Sequence, residues 1–177
     1  AYVGRGNAER FIGDYARALQ DYDQAIALDA SNASALIGRG LCHEHNAAYD
    51  RAIADYTKAI AVEPERATAW NNRCWVRAIA GQLQDALNDC NEALHLQPSE
   101  KNTLDSRGLV LLKMGNFDAA IADYDTALKL DSNTASSLYG RGVAKIKKGN
   151  EAEGNADIKS AQALDPNITK RFDGYGM

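Results

Sequence analysis

The residues of this chain whose types and spacing could do chemistry are its cysteines, its histidines and a recurring arginine–aspartate spacing. Cys74 and Cys90 stand sixteen apart in the stretch RCWVRAIAGQLQDALNDC. On two touching helices that spacing would permit a disulfide, provided the alpha carbons fall within about 7 Å. Closing so short a loop stabilises by about 3 kcal/mol in the chain-entropy model. Two reduced cysteines filling a core is the equal alternative, because free cysteine is among the most buried residue types. Cys42 has no evident mate. His43 and His45 are two apart on a helix and point to different sides, and no further Cys or His lies near Cys74 and Cys90. Neither set completes a metal site, so no metal and no cofactor are expected. The Gly-x-Gly triplets at Gly4, Gly38 and Gly140 follow no strand, which makes them packing glycines and not phosphate loops. No nucleophile elbow, Walker lysine motif or zinc-protease helix occurs, and the carboxylates are spread along the chain. An enzyme is not expected.

The arginines and aspartates have a pattern of their own. Arg5, Arg39, Arg73, Arg107 and Arg141 are each followed sixteen residues later by Asp21, Asp55, Asp89, Asp123 and Asp157. A solvated surface would not demand such regularity, so the spacing predicts a ladder of partly buried ion pairs linking first and second helices, within or between units, the alternative being two independent polar preferences. One residue further on, Gly6, Gly40 and Gly108 are matched by Tyr22, Tyr56 and Tyr124, and Gly142 by Ile158. A helix-interior glycine costs about 1 kcal/mol against alanine, so its recurrence implies that a ring from the second helix needs the space. In one repeat both members change together, to Cys74 and Cys90.

These spacings come from a larger period. A shift of 34 residues carries ARALQDYDQAIALD onto DRAIADYTKAIAVEP, QDALNDCNEALHLQP and DAAIADYDTALKLD, with a weaker fifth copy, AEGNADIKSAQALDP. Ahead of each lies a second matching segment, such as LIGRGLC or LYGRGVA. Apolar and small residues recur at helical spacing in both segments, so each unit is two amphipathic helices. Gly13, Ala47, Gly81, Gly115 and Gly149 suit the turn between them, and Pro64, Pro98 and Pro166 stand between units. A chain of 177 residues, 45% hydrophobic and rich in alanine, can bury a core without metals or disulfides.

The spacing resembles the tetratricopeptide repeat, and the resemblance covers nearly the whole chain. Alanine fills one family slot at Ala18, Ala52, Ala86 and Ala120, with Gly154 in the fifth unit, and a second at Ala25, Ala59, Ala93, Ala127 and Ala161. Ala30 and Ser132 depart from the family in its proline slot, and the repeated arginine stands where leucine is usual. The resemblance implies an all-α solenoid: five tandem helix-turn-helix repeats in a right-handed superhelix, with first helices on the inner face. The expected organisation is one domain, 1–177, with units near 1–32, 33–66, 67–100, 101–134 and 135–168. Residues 167–177 would form a C-terminal cap anchored by Phe172 and Tyr175. The start at Ala1, with no methionine and no leader, suggests a lost upstream segment.

Function is then sought on the inner face. With Trp70, Arg73, Cys74 and Arg77 committed to packing, the other side of that helix presents Asn71, Trp75, Ala78 and Ile79. The same register gives Ile37 and Leu41 before it, then Asp105, Leu109 and Leu112, then Tyr139, Val143 and Ile146. That is an apolar stripe, which commonly marks a partner site. The partner-binding groove is therefore assigned to Ile37, Leu41, Asn71, Trp75, Ile79, Asp105, Leu109, Leu112 and Tyr139, with Asn71 and Asp105 as hydrogen-bonding groups. Modules resembling chaperone adaptors hold a C-terminal carboxylate with lysine, asparagine and arginine. Here Ile37, Leu41, Asn102 and Ser106 occupy such places and only Asn72 matches, so chaperone-tail binding is not expected. A net charge of −4 argues against nucleic acid, and no apolar run is long enough for a membrane span. The expectation is a protein or peptide partner. The alternative is a self-assembling scaffold, in which the groove or the first unit packs on a second copy. A resemblance to exported bacterial repeat proteins, with the cysteine pair, points to the periplasm or secretion rather than the cytoplasm.

Overall fold

A computed structural model describes residues 1–176, and among them it contains eleven α-helices and no strand. They are α1 (Tyr2–Phe11), α2 (Tyr15–Leu28), α3 (Ala33–His45), α4 (Tyr49–Val62), α5 (Ala67–Ile79), α6 (Leu83–Leu96), α7 (Lys101–Lys113), α8 (Phe117–Leu130), α9 (Ala135–Lys147), α10 (Glu151–Leu164) and α11 (Ile168–Gly174). Met177 lies outside the described residues. Helix starts are marked where a side chain can accept from a free backbone N–H: Asp14 takes that of Arg17, Asn32 that of Ala35, and Glu100 that of Thr103. The turn inside each hairpin is left-handed. Glycine adopts it in four units, and Ala47 does so with φ +54° in the second, at the strain of a Cβ.

Consecutive helices pack as antiparallel hairpins, and hairpins stack in chain order. First helices also touch the first helices of neighbouring units (α1 on α3, α3 on α5, α5 on α7, α7 on α9), whereas second helices do not touch one another. The stack therefore curves with first helices inside. This is the architecture the 34-residue period implies, an all-α solenoid.

Small residues make the close approach possible. Ala18, Ala52, Ala86 and Ala120 have no accessible surface, and Tyr22, Tyr56 and Tyr124 are at most 1% exposed. A Cβ built on Gly6 would stand 3.0 Å from the Tyr22 ring, and one on Gly108 2.8 Å from that of Tyr124. In two triplets the first glycine serves the preceding unit: Gly38 leaves room for Tyr22, and Gly140 for Tyr124, whereas a Cβ on Gly4 would meet nothing within 4 Å. One tyrosine is thus held between two glycines from successive units. In the fifth unit the contact is backbone against backbone, since a Cβ on Gly142 would lie 2.7 Å from the Gly154 carbonyl.

Candidate functional site

The five arginines all donate in two-pronged fashion to their aspartates, through Nε and Nη2. Such planar pairing is the strong form of the interaction. A further contact had no counterpart in the sequence reading. Nη1 of four arginines reaches back to the second helix of the preceding unit, to Asp23, Thr57, Asn91 and Asp125, at 2.7–3.0 Å. Each guanidinium thereby ties its own hairpin to the one before. Arg5 lacks that third contact, and its side chain is 63% exposed against 10% for Arg73. Two of the carboxylates have a second cation: Asp89 takes a third bond from Arg77 at 2.7 Å, and Asp157 meets Lys145 at 3.0 Å. The Arg5 guanidinium holds the Asp21 carboxyl below its ordinary range. Burial alone would raise Asp157, yet bonds from Arg141 and Lys145 bring it low as well.

Cys74 and Cys90 occupy the glycine and tyrosine positions of the third unit. Their alpha carbons are 5.4 Å apart and the sulfurs are bonded. Cys42 is buried and free, and burial pushes its thiol up to about 11.

On the concave face the assigned groove residues separate into two groups. Leu41, Asn71, Trp75 and Ile79 remain partly accessible. Ile37, Leu109, Leu112 and Tyr139, expected to line open surface, are buried at 8, 2, 4 and 9% exposure. The cause is twofold. First helices lie close enough to cover part of each other, so Ile37 joins a core with Trp70 and Trp75, and Leu112 packs with Tyr124. The segment from α11 to Tyr175 covers the rest, so it is not only an end cap. Phe172 stacks obliquely on Tyr139 at 4.6 Å between ring centres, and Tyr175 meets Trp75 edge to face at 5.0 Å. The Tyr175 carbonyl accepts from the Lys113 ammonium at 2.6 Å, which also donates to the Ala78 carbonyl. Burial lowers the Lys113 pKa.

Of the two assigned polar groups, Asp105 accepts from the Ser137 hydroxyl at 2.6 Å, while Asn71 has a buried Oδ1 with no hydrogen-bond partner. Burial raises the Asp105 carboxyl, against the bond from Ser137. Between α5, α7 and α11 lies a cavity of about 210 Å³, lined by Trp75, Asp105, Leu109, Tyr124, Phe172 and Tyr175. Two residues of this face were missed. Glu44 accepts from Tyr56 at 3.1 Å, and burial raises its carboxyl. It shares a register position with Ala78, Leu112 and Ile146, so continuing the stripe one turn would have found it. Lys113 shares its position with Ile79 in the same way. Among the described residues no group of Cys, His, Asp and Glu is placed to hold a metal ion. No helix there is long and apolar enough to cross a membrane.

Comparison with known proteins agrees with the geometry. A tetratricopeptide repeat model matches residues 3–60 and 48–101, and a TPR repeat model matches 108–149. No curated protein matches the sequence. Among solved structures, MamA is 22% identical over 96% of this chain and 92% of its own, with a TM-score of 0.76. YrrB, described as a TPR protein with an unusual peptide-binding site, is 23% identical over 99% and 91%, with a TM-score of 0.73. PilW, a widely conserved type IV pilus biogenesis factor, is 18% identical over 92% and 76%, with a TM-score of 0.84. At such identities the likeness is one of fold. With repeat models covering well over half of its length and helix pairs stacked as that repeat requires, the chain belongs to the tetratricopeptide repeat family.

Proposed function

We propose that this protein is a non-catalytic interaction module that docks a short helical segment of a partner protein on its concave face. Tetratricopeptide repeats are in general protein-interaction modules, and the neighbour YrrB is described as having a peptide-binding site. The observation that carries the reading is the chain's own α11–Tyr175 segment. It presents two aromatic rings three residues apart, Phe172 and Tyr175, to Tyr139 and Trp75, and its last carbonyl accepts from Lys113. That is the contact pattern of a helix turn in an apolar groove. A partner bearing aromatics at the same spacing would compete with this segment for the face.

The test uses the full chain. A displayed library of short random peptides is selected on Phe172→Ala/Tyr175→Ala protein, and the enriched peptides are measured on that variant, on wild type and on Trp75→Ala. The expected result is an aromatic pair at i and i+3, tighter binding to the double variant than to wild type, and loss of binding with Trp75→Ala. Equal binding to Trp75→Ala would remove the groove assignment.

A second reading, self-assembly, has its own observation. Phe11, Ile12 and Leu28 of the first hairpin are 90, 77 and 76% exposed. Phe11 and Ile12 adjoin each other at the α1–α2 turn and Leu28 stands at the far end of α2; exposed apolar side chains of this kind favour a contact between copies. Light scattering decides, since a concentration-independent monomer would end that reading. The bonded Cys74–Cys90 pair supports an oxidising compartment, periplasmic or extracellular, over the cytoplasm.

A further inference from the structure

The cavity under α11 carries a chemistry that peptide docking does not use. Three buried tyrosines point from second helices towards the concave side, and two have their hydroxyls satisfied there. Tyr22 donates to Asn7 at 2.7 Å, and Tyr56 donates to Glu44 at 3.1 Å. In the fourth unit the equivalents of Asn7 and Glu44 are Leu109 and Leu112, and the hydroxyl of Tyr124, 1% exposed, has no hydrogen-bond partner. A buried hydroxyl left in this way costs free energy unless something supplies its bond. The same cavity holds the Asp105 carboxylate, whose bond comes from a neutral serine and which makes no salt bridge. Its remaining walls include the rings of Trp75, Phe172 and Tyr175.

We propose that this cavity is a binding site for a primary alkylammonium group. A carboxylate among aromatic rings attracts such a cation by charge and by the negative faces of the rings. The ammonium's three donors reach both the Asp105 carboxylate and the Tyr124 oxygen, and the alkyl stem lies against Leu109 and the rings. The volume suits a small guest: at about 210 Å³ the cavity exceeds the roughly 150 Å³ that holds benzene in an engineered core. The other charges nearby are occupied. Arg171 also lines the cavity and its charge acts on Asp105, but its guanidinium pairs with Asp165 at 2.6 Å, and Lys113 donates to the Ala78 and Tyr175 carbonyls. The site uses the α11–Tyr175 segment in place, so it belongs to the form of the protein in which no partner has displaced that segment.

The experiment follows Trp75 fluorescence in full-length protein carrying Trp70→Phe, which leaves one tryptophan. Titration with n-butylammonium chloride is expected to saturate, while 1-butanol of the same length and sodium chloride at matched ionic strength do not. Asp105→Asn, which can still accept from Ser137, is expected to weaken binding by roughly tenfold or more, the loss that follows removal of a charged hydrogen bond. Tyr124→Phe weakens it less. A cooperative melting transition at or above the wild-type temperature, with native NMR dispersion, certifies that both variants fold. N-acetyl-lysine N-methylamide distinguishes the source: saturation by it as well supports a partner's lysine side chain, and saturation by the free amine alone supports a small metabolite. Equal binding to Asp105→Asn, equal saturation by butanol, or no saturation by either ammonium overturns the proposal. Displayed peptides could still bind the Phe172→Ala/Tyr175→Ala variant in that event, so its failure is separate from that of the docking reading.

Discussion

Replacing the five ladder aspartates one at a time by alanine should not give five equal losses, although the sequence repeats the pair without variation. The Asp89 side chain is 3% exposed and takes three bonds, two from Arg73 and one from Arg77. Its loss leaves two guanidinium groups largely buried without a counter-charge. Removing one partner of such a buried pair costs about 3–5 kcal/mol. Asp123 faces Arg107, whose side chain is 27% exposed, so water screens the orphaned cation and the loss is smaller. Asp21 faces the largely exposed Arg5 and should give the smallest loss of all. The expected order of destabilisation is thus Asp89, then Asp123, then Asp21. Urea unfolding followed by circular dichroism reads it from the midpoints, provided the slope stays constant. A paired Arg107→Asp with Asp123→Arg swap should lose less than its two single changes combined, because the charges meet again. Equal midpoints for the alanine variants, or strict additivity in the swap, would refute the argument that burial sets the worth of each rung.

Three further outcomes follow from the same geometry. Gly142→Ala should destabilise by about 1–3 kcal/mol in thermal melts despite alanine's better helix propensity, because its Cβ meets the Gly154 carbonyl and no rotamer can relieve that contact. Gly40→Ala meets the Tyr56 ring instead, and Tyr56→Leu should restore part of its stability. Alkylation in denaturant without reductant, read by intact mass, should label one thiol, that of Cys42. Three labels would show the bridge absent, whereas Cys90→Ser should lower stability by about 3 kcal/mol. Burial raises the Asp105 carboxyl, so the fold favours its neutral form and its ionisation opposes folding as pH rises. Asp105→Asn should accordingly raise the melting temperature near about pH 7 and have less effect near about pH 4. Asp21 runs the other way. Its carboxyl is held low by Arg5, so its contribution is present at neutral pH and is lost on acidification.

The opposite signs expected of these two carboxylates bear on function. Asp21 and its equivalents are matched to cations within the chain and serve the stack. Asp105 has no such match, and Asp105→Asn should therefore gain stability while losing the ammonium guest. Groups that bind at the expense of folding are expected at functional sites.

What could be read in one dimension is what a fixed period repeats. The shift of 34 residues sets which positions of one hairpin meet, so the arginine–aspartate spacing, the glycine beside the tyrosine and the approach of Cys74 to Cys90 were all legible. They are contacts inside a unit, between two helices whose register a short turn imposes. The all-α solenoid followed for the same reason. What the period does not contain is how units lie on one another and where the non-repeating segment goes. Only the stacked structure shows Nη1 of each later arginine reaching the preceding hairpin, or Gly38 and Gly140 making room for a neighbour's ring. It also decided that Leu109 and Tyr139 are covered by Phe172 and Tyr175 and that the Tyr124 hydroxyl has no partner. Burial is a property of every chain segment that comes to lie over a residue, and those segments are remote in sequence, so no local pattern reports it.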